Sequence, residues 1–330
     1  MGAVWVVGEP GPDHGLARIS AEVATLAREL GAAGGREVVG IVVAAAPAEP
    51  AAELARYLPR VVAIEDATAG ELAWSAVATA HLAALAEAES PDLVLAGAGP
   101  DGRDVAGALS ALTGLGVLTN ATGVGWGDNG PVVEMSAFGG KLLTTSGFTG
   151  GRGIVTVRPN VATAEPAATP GPVEMSATSA TSATSAWALP AVRVVDRVSE
   201  SGAAAPIEEA KIIVAGGRGV GGPDGFAIVQ QLAEVLGGAV GATRAAVDSG
   251  WIPYSQQIGQ TGKIVKPELY LALGISGAIQ HKVGMQTAGT IVAVNRDPDA
   301  PIAEFADLLV VGDLFEVGGA LLQQLRDRPG

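Results

Sequence analysis

Short runs of β-branched residues alternate with helical patterns along most of this chain, and this alternation constrains the fold more than any other feature. In the first half the runs lie at 4–7, 38–43, 61–64, 92–96 and 154–157. In the second half they lie at 211–215, 239–243, 269–273, 291–294 and 308–311. Between two of them, one helical stripe carries Ile19, Val23, Leu26 and Leu30. Alternation of this kind predicts an α/β fold with mostly parallel sheets.

The domain organisation follows from the length and from two polar stretches. A chain of 330 residues suits two domains of ordinary size. Residues 176–186 repeat Ser, Ala and Thr without an apolar period, which indicates a surface loop, and 191–197 return to strand character. The small polar residues at 199–208 predict a linker between an N-terminal domain, 1–198, and a C-terminal domain, 209–330.

Two further helices are predicted from local signals. Residues 71–89 have a helical pattern, and His81 within them is expected at the surface, as is His14. A second helix is expected from Pro223 to Leu236, because proline suits the first turn of a helix. With it, the second half predicts a doubly wound domain of the Rossmann or flavodoxin-like type.

Composition excludes several classes of function. The chain has no cysteine and three histidines, which excludes disulfides, thiolate metal sites and iron–sulfur ligation and disfavours a histidine-rich metal site. The net charge of −14, with no Lys/Arg cluster, argues against nucleic-acid binding. No run is long and apolar enough to cross a bilayer, and the first strand already begins at Val4. We therefore expect a soluble, cytoplasmic protein.

A ligand site is predicted at one edge of the second domain. Ligands of open parallel sheets bind beyond the carboxyl ends of the strands. All five strand ends there lead into glycines or polar side chains, at 216–219, 243–244, 274–281, 295–297 and 312–314. Since parallel topology brings these loops to the same edge, they predict a large, polar and phosphorylated ligand.

Two glycine motifs in this domain suggest phosphate binding with different strength. Gly217, Gly219 and Gly222 match the dinucleotide pattern G-x-G-x-x-G between a strand and a helix. The ribose-binding acid expected about 20 residues later is missing, since Thr243 and Arg244 stand there instead. Residues 259–263 resemble the end of a phosphate-binding P-loop, but an isoleucine follows the lysine where Ser or Thr is required, so we reject that interpretation.

Residues 241–316 resemble the flavin-binding signature of the electron-transfer flavoprotein alpha family. The stretches that carry the resemblance are RAAVD at 244–248, QIGQTGK at 257–263, PELY at 267–270, GISGAIQH at 274–281, IVAVNRD at 291–297, AD at 306–307 and DLF at 313–315. The N-terminal half resembles the family more loosely, through its α/β order and DGRD at 101–104. The resemblance implies a redox carrier subunit that holds FAD in its second domain. It also implies a beta-subunit partner, flavin dehydrogenases as electron donors and a quinone oxidoreductase or other acceptor.

The resemblance also assigns cofactor-binding residues. It places Arg218 near the pyrophosphate, Ile258 to Thr261 along the flavin, Ser276 to His281 around the ribityl and phosphate region, and Asn295 with Asp313 and Leu314 at the adenosine end. The full set is Arg218, Thr243, Arg244, Ile258, Gly259, Gln260, Thr261, Ser276, Gly277, Ala278, Ile279, Gln280, His281, Asn295, Asp313 and Leu314. Arg244 and His281 are the candidate cations beside the flavin C2 carbonyl, where positive charge favours reduction.

Purely structural interpretations stand beside several of these assignments. Arg244 could pair with Asp248 one helical turn on, and Asp313 could cap a helix. Arg103 and Asp104 are expected to be structural or interfacial. Two rival functions also remain: a nicotinamide-dependent dehydrogenase that uses the glycine loop, and a degenerate subunit without a cofactor.

Overall fold

The computed structural model describes residues 2–11, 15–137, 142–176, 192–196 and 207–326. Contacts within the chain divide it into two units, Met1–Val198 and Ser199–Gly330. His14, residues 177–186 of the Ser/Ala/Thr repeat and residues 199–206 of the predicted linker lie outside the described residues.

The first unit is built on one mixed sheet with helices between its parallel strands. The described strands are β1 (Val4–Gly8), β2 (Val38–Ala44), β3 (Val61–Glu65), β4 (Leu93–Gly97), β5 (Gly116–Gly127), β6 (Gly130–Ala137), β7 (Leu142–Gly147), β8 (Gly153–Val157) and β9 (Val173–Met175). Their order is β7-β6-β5-β8-β4-β1-β2-β3-β9. The helices are α1 (Arg18–Gly34), α2 (Ala48–Ala55), α3 (Trp74–Glu89) and α4 (Pro100–Thr113).

Alternate residues of the central strands enter two separate cores, one on each face of this sheet. Val4 and Val6 of β1 pack with residues of α1 and α2, whereas Trp5 and Val7 pack with residues of α3 and α4. Small aliphatic side chains fill most of both cores, because only 4% of the residues in the chain are aromatic. Burial on both faces explains why these strands read as continuous apolar runs.

The antiparallel strands β5, β6 and β7 are absent from the strand predictions. β5 pairs antiparallel with β6 and β6 with β7, while β5 joins the rest of the sheet through β8. Much of their surface is half-buried or exposed, so they carry no continuous apolar run. Long-range contacts support them instead: the Trp126 indole N–H donates to the Leu30 carbonyl (2.8 Å), and the Arg36 guanidinium lies 3.7 Å from the Trp126 ring centroid.

The first unit corrects three further expectations. His81 is 1% exposed, and its Nε2 lies 2.9 Å from Asp66 Oδ2, so its expected surface position was wrong. Residues 192–196 form an isolated bridge from Arg193 to Leu72 but no regular strand. The helix expected over 71–89 begins at Trp74, because a separate 3₁₀ turn over Ala67–Gly70 precedes it.

The second unit contains a parallel sheet covered on both faces, as its doubly wound prediction requires. The described strands are β10 (Ile212–Gly216), β11 (Ala239–Thr243), β12 (Gln257–Ile258), β13 (Leu269–Leu273), β14 (Thr290–Asn295) and β15 (Leu308–Val311), in the order β12-β11-β10-β13-β14-β15. The helices are α5 (Phe226–Leu236), α6 (Arg244–Asp248), α7 (Ile279–Met285) and α8 (Leu314–Arg326). All strand pairs in this sheet are parallel within the described residues.

The start of α5 differs from its prediction. The helix begins at Phe226, and Pro223 lies in the turn before it, where its carbonyl accepts a hydrogen bond from the Phe226 N–H (3.1 Å). Gly225 is packed directly against the Val220 carbonyl, which leaves no room for a side chain there. Close packing of the preceding loop therefore sets the first residue of the helix.

The helices are short or amphipathic, in keeping with their packing on the two sheets. Within the part of the chain that the structure describes, every helix falls short of the length and apolarity that a membrane crossing requires.

Candidate functional site

The topological switch point of the second sheet lies between β10 and β13. From β10 the chain runs outward to β11 and β12, then returns to β13 on the other side of β10 and continues to β14 and β15. The connections after β10 and β13 therefore lead to helices on opposite faces of the sheet, which leaves a crevice beyond the carboxyl ends of the strands. A cavity of about 530 Å³ opens at this point.

Loops after five of the strands supply the cavity wall. The lining residues are Gly217, Arg218, Gly219, Thr243, Arg244, Ala245, Asp248, Ile258, Gly259, Gln260, Thr261, Gly274, Ile275, Ser276, Gly277, Ala278, Gln280, His281 and Asn295. Four of the five loops expected from parallel topology converge here; the loop at 312–314 does not line the cavity, and the loop after β12 contributes instead.

Backbone packing between the loops after β10 and β13 joins the two sides of the cavity. The Gly217 N–H donates to the Leu273 carbonyl and the Gly219 N–H to the Gly274 carbonyl, both at 3.0 Å. A Cβ on Gly219 would lie 2.6 Å from Gly274 Cα, and Gly274 itself has φ +62°. Glycine is required here because only bare backbone allows so close an approach.

Thr243 and Arg244 contribute a hydroxyl and a cation where β11 meets α6. The Thr243 Oγ1 is buried and has no hydrogen-bond partner among the described residues. Arg244 pairs with Asp248 (Nε to Oδ2, 3.1 Å), as the spacing of four residues suggested, and both side chains are more than half exposed. An exposed pair of this kind is weak, so the guanidinium stays available to an anion in the cavity.

The segment from Tyr254 to Lys263 forms a tightly bonded side of the cavity. The Tyr254 hydroxyl donates to the Thr261 carbonyl (2.7 Å), and Gln257 Nε2 donates to Thr261 Oγ1 (3.2 Å). The Gln260 N–H donates to the Gln280 carbonyl (2.7 Å), which ties this segment to α7. Gly259 has φ +141°, a backbone conformation that favours glycine.

His281 lines the cavity but does not supply the expected positive charge. Its Nδ1 lies 3.0 Å from the Ile258 carbonyl, which can only accept, so Nδ1 carries the proton and donates. In the neutral ring, Nε2 then accepts from the hydroxyl of the fully buried Tyr270, at 2.9 Å. Burial lowers the pKa of His281 to about 4, which keeps the ring neutral near pH 7. Of the two expected cations, Arg244 alone fits that role.

Asn295 lines the cavity, but its amide is already bonded to neighbouring loops. Its Nδ2 donates to the Ile275 carbonyl (2.9 Å), and its Oδ1 accepts from the Asp297 N–H (3.0 Å). The first of these bonds connects the end of β14 to the loop after β13, and the second lies within the loop that follows β14.

Asp313, Leu314 and Ile279 do not line the cavity. The Asp313 Oδ1 accepts from the Phe315 N–H (2.8 Å), so Asp313 caps α8. Its other carboxylate oxygen pairs with Arg296, and the hydrogen bond from Arg296 holds the pKa of Asp313 below its ordinary value. Leu314 is buried in the core, and Ile279 is exposed.

The other predicted residues all lie around this cavity, together with several that the prediction omitted. The omitted residues are Gly217, Gly219, Ala245, Asp248, Gly274 and Ile275. The dinucleotide pattern contains Gly217 and Gly219, and the helical spacing from Arg244 points to Asp248, so signals for these three were present in the sequence.

The donor set of the cavity suits an extended ligand that is both phosphorylated and partly apolar. Glycine backbone, the Arg244 cation and the unpartnered Thr243 hydroxyl can bind anionic or polar atoms, while Ile258 and Ile275 add apolar surface. The first N–H groups of α7 have no acceptor within the helix, and Ala278 before it provides no side-chain cap.

Comparison with known proteins identifies the family. The model described as Electron transfer flavoprotein FAD-binding domain matches residues 206–286, and the model described as Electron transfer flavoprotein domain matches residues 4–183. The chain is 43% identical over 318 residues to the electron transfer flavoprotein subunit alpha of Mycobacterium leprae (strain TN), covering 96% of each chain. The chain belongs to the electron transfer flavoprotein alpha subunit family. The resemblance drawn from the sequence is thereby confirmed.

Other alpha subunits of the family also match this chain over nearly its full length. The chain is 44% identical over 318 residues to that of Mycobacterium tuberculosis (strain ATCC 25618 / H37Rv), covering 96% of each chain. It is 35% identical over 328 residues to that of Syntrophomonas wolfei subsp. wolfei (strain DSM 2245B / Goettingen), covering 99% of this chain and 100% of the relative.

Membership of the electron transfer flavoprotein alpha family confirms FAD as the cofactor and electron transfer as the role. The FAD-binding family model spans the loops after β10, β11, β12 and β13, which line the cavity. Three features at this edge fit a dinucleotide. They are the buried Thr243 hydroxyl without a partner among the described residues, the glycine backbone that lets a ligand approach closely, and the available Arg244 cation. The contacts of individual residues with FAD remain predictions.

Proposed function

We propose that this chain is the FAD-carrying subunit of a heterodimeric redox shuttle completed by a beta subunit. Through FAD in the second domain, the shuttle accepts electrons from flavin dehydrogenases, such as the acyl-CoA dehydrogenases of fatty acid β-oxidation. It passes them to a quinone oxidoreductase or another acceptor, and it works in the cytoplasm. The single observation that carries this proposal is the cavity at the switch point, within the domain that matches the FAD-binding family model.

The domain arrangement of the proposal follows the division of the chain. The N-terminal domain, 1–198, contacts the beta subunit, residues 199–208 link the domains, and 209–330 bind FAD. The division of the chain into two compact units supports the boundary after Val198.

Cavity residues divide into three groups by the part of FAD that they suit. Arg218, Thr243 and the backbone of Ser276 to Gln280 offer donors for phosphate and ribityl oxygens. Ile258, Gly259, Gln260 and Thr261 provide a mixed apolar and polar wall for the flavin, whose ring takes up and gives back electrons when FAD is bound. Asn295, together with Asp313 and Leu314 further along this edge, is assigned to the adenosine end.

The residues of this site suit a carrier better than an enzyme. The titratable side chains among the described lining residues are Arg218, Arg244, Asp248 and His281. His281 is the residue type best suited to proton transfer at neutral pH, yet its pKa is lowered to about 4 and both ring nitrogens are engaged. The site thus offers positioning and charge for FAD, and its described residues lack the poised acid–base pair that a dehydrogenase of hydroxy substrates would use.

The proposal is tested first by co-expressing the chain with a beta subunit and recording the visible spectrum of the purified complex. Flavin bands, release of FAD on denaturation and reduction of the bound FAD by a reduced acyl-CoA dehydrogenase are expected. A colourless complex that gains no flavin bands with added FAD would contradict the proposal and favour the nicotinamide alternative.

A pair of charge variants tests whether the cavity itself holds FAD. Arg244→Ala removes a cavity cation and should weaken FAD binding roughly tenfold or more, since hydrogen bonds to charged groups are worth about 1.5–3 kcal/mol. Lys211→Ala is the control, because the Lys211 side chain is 82% exposed and precedes β10 at the opposite edge of the sheet. Equal loss of FAD in both variants would argue against the assigned role of Arg244.

A further inference from the structure

The hydrogen bond from Gln257 orients the Thr261 hydroxyl. We propose that Gln257 is a positioning residue, which holds that hydroxyl with its proton free to be donated into the cavity. This inference rests on the proposed function, because FAD is the acceptor for which the donor would matter. Gln257 does not line the cavity. The family resemblance, which assigns Ile258 to Thr261 to the flavin, therefore gives Gln257 no role.

Gln257 is held firmly behind the cavity wall. It is 2% exposed and belongs to the short edge strand β12, where it pairs with Ala242 of β11. Its carbonyl accepts from the Lys263 N–H (2.7 Å), which closes the turn that contains Thr261. A Cβ on Gly262 would lie 2.9 Å from Gln257 Cγ, so the glycine leaves the space that the glutamine stem occupies.

The direction of the hydrogen bond follows from the chemistry of the two groups. The amide nitrogen of glutamine only donates, so Thr261 Oγ1 must accept from Gln257 Nε2 at 3.2 Å. A threonine hydroxyl has one proton and two lone pairs, and this bond uses a lone pair. Thr261 lines the cavity, and among the described residues its hydroxyl proton has no acceptor.

Two backbone contacts prevent the threonine from turning away. The Tyr254 hydroxyl donates to the Thr261 carbonyl (2.7 Å), and the neighbouring Gln260 N–H donates to the Gln280 carbonyl (2.7 Å). With its backbone fixed on both sides, Thr261 can still rotate about χ1 and about its C–O bond, and the hydrogen bond from Gln257 restricts both rotations. A donor aimed into the cavity stabilises whichever redox state of FAD carries more electron density at the accepting atom.

The test exploits the near-identical shape of glutamine and glutamate. Gln257→Glu replaces a donor by a carboxylate, which accepts the Thr261 proton and withdraws it from the cavity. In the co-expressed complex this variant should shift the reduction potential and visible spectrum of bound FAD in the same direction as Thr261→Val. Because acid protonates the new carboxyl and restores a donor, the shift should shrink as the pH is lowered.

A double-variant comparison separates positioning from mere disturbance. Once Thr261→Val has removed the hydroxyl, adding Gln257→Met should change the potential little further, because the two residues act through one interaction and this variant adds no charge. Gln286→Glu, at an exposed position after α7, adds the same charge as Gln257→Glu and should leave the potential unchanged. If Gln257→Glu fails to fold, Gln257→Met tests the same loss of the donor without adding charge.

The outcomes distinguish this inference from the proposed function. If the Gln257→Glu and Gln257→Met complexes bind FAD with the potential and spectrum of the wild type, the positioning role alone is overturned. Additive shifts in the double variant would overturn it as well. A wild-type complex that binds no FAD would overturn the proposed function and this inference with it.

Discussion

At the scale of single residues, the buried Glu9 side chain occupies the switch point of the first sheet, whereas the switch point of the second sheet is an open cavity. The switch point of the first sheet lies between β1 and β4, and Glu9 directly follows β1. Its Oε1 accepts from the Gly97 N–H at 2.6 Å, at the end of β4. The carboxylate thus lies at the position that corresponds to the open cavity of the second unit.

Burial of Glu9 predicts a pH-dependent stability that Glu9→Gln should remove. Burial, aided by nearby Asp101, raises the pKa of Glu9 from 4.5 to about 7 in the folded chain. The folded state therefore binds this proton more tightly than the unfolded state does. The resulting stabilisation is complete below the unfolded pKa and is lost as the pH rises through about 7.

Urea unfolding at acidic and mildly alkaline pH measures this effect. Relative to Glu9→Gln, the wild-type chain should lose about 3 kcal/mol of unfolding free energy between about pH 4 and pH 8. Glu65→Gln, at an exposed position at the end of β3, serves as the control. Parallel stability profiles for wild type and Glu9→Gln would refute the assigned pKa.

Thr243 predicts opposite effects on the apo chain and on cofactor binding. Its buried Oγ1 has no partner among the described residues, so Thr243→Val should leave the cofactor-free chain equally stable or more stable by about 1 kcal/mol. If Thr243 binds FAD as proposed, the same variant removes that hydrogen bond and should weaken FAD binding roughly tenfold. Thermal unfolding without FAD and a fluorescence titration with FAD measure the two effects, and unchanged affinity would exclude Thr243 as a ligand.

At the scale of elements, the close backbone packing of the loops after β10 and β13 predicts unequal roles for the glycines of the G-x-G-x-x-G pattern. A Cβ on Gly219 would press on Gly274 Cα, whereas a Cβ on Gly222 would meet no atom within 4 Å. Gly219→Ala should therefore lower the free energy of unfolding by about 1–3 kcal/mol and reduce FAD content. Gly222→Ala should change it by less than about 0.5 kcal/mol.

Denaturant unfolding and flavin content of the two variants, purified side by side, provide the measurement. A stable Gly219→Ala complex with full FAD content would show that the loops can separate without harm. Such a result would contradict the close backbone packing that the hydrogen bond from the Gly219 N–H to the Gly274 carbonyl implies.

At the scale of the whole molecule, FAD should stabilise one unit of the chain and leave the other largely unchanged. A ligand at about one hundred times its dissociation constant adds about 2.7 kcal/mol to the folded state that binds it. In the complex with the beta subunit, FAD should therefore slow hydrogen exchange in β10 and β13 but not in β1 and β2. Equal protection of both units would contradict a site confined to the second unit.

Much of the fold follows from the sequence because parallel strands buried on both faces carry their own pattern. The bounds of β11, β13 and β15 coincide with their apolar runs, and most others shift by one or two residues. The exceptions are β9 and β12, which are too short for any period, and β5 to β7, whose half-exposed surface mixes polar residues and glycine. Pairing with distant strands, which local patterns do not encode, creates these elements.

Some features of the candidate site likewise follow from the sequence, and others follow only from the tertiary structure. Residue types and parallel topology alone determine that the loops ending β10, β11, β13 and β14 meet at one edge, and the run from Gly274 to His281 carries the family resemblance. Tertiary structure alone decides that His281 is neutral, because folding buries the ring and so lowers its pKa to about 4, although the hydrogen bond to the Ile258 carbonyl acts in the opposite direction. Tertiary structure also buries His81 against Asp66 and places Asp313 as the N-cap of α8. A side chain's charge and bonding depend on neighbours brought together by folding, which the sequence pattern around it does not specify.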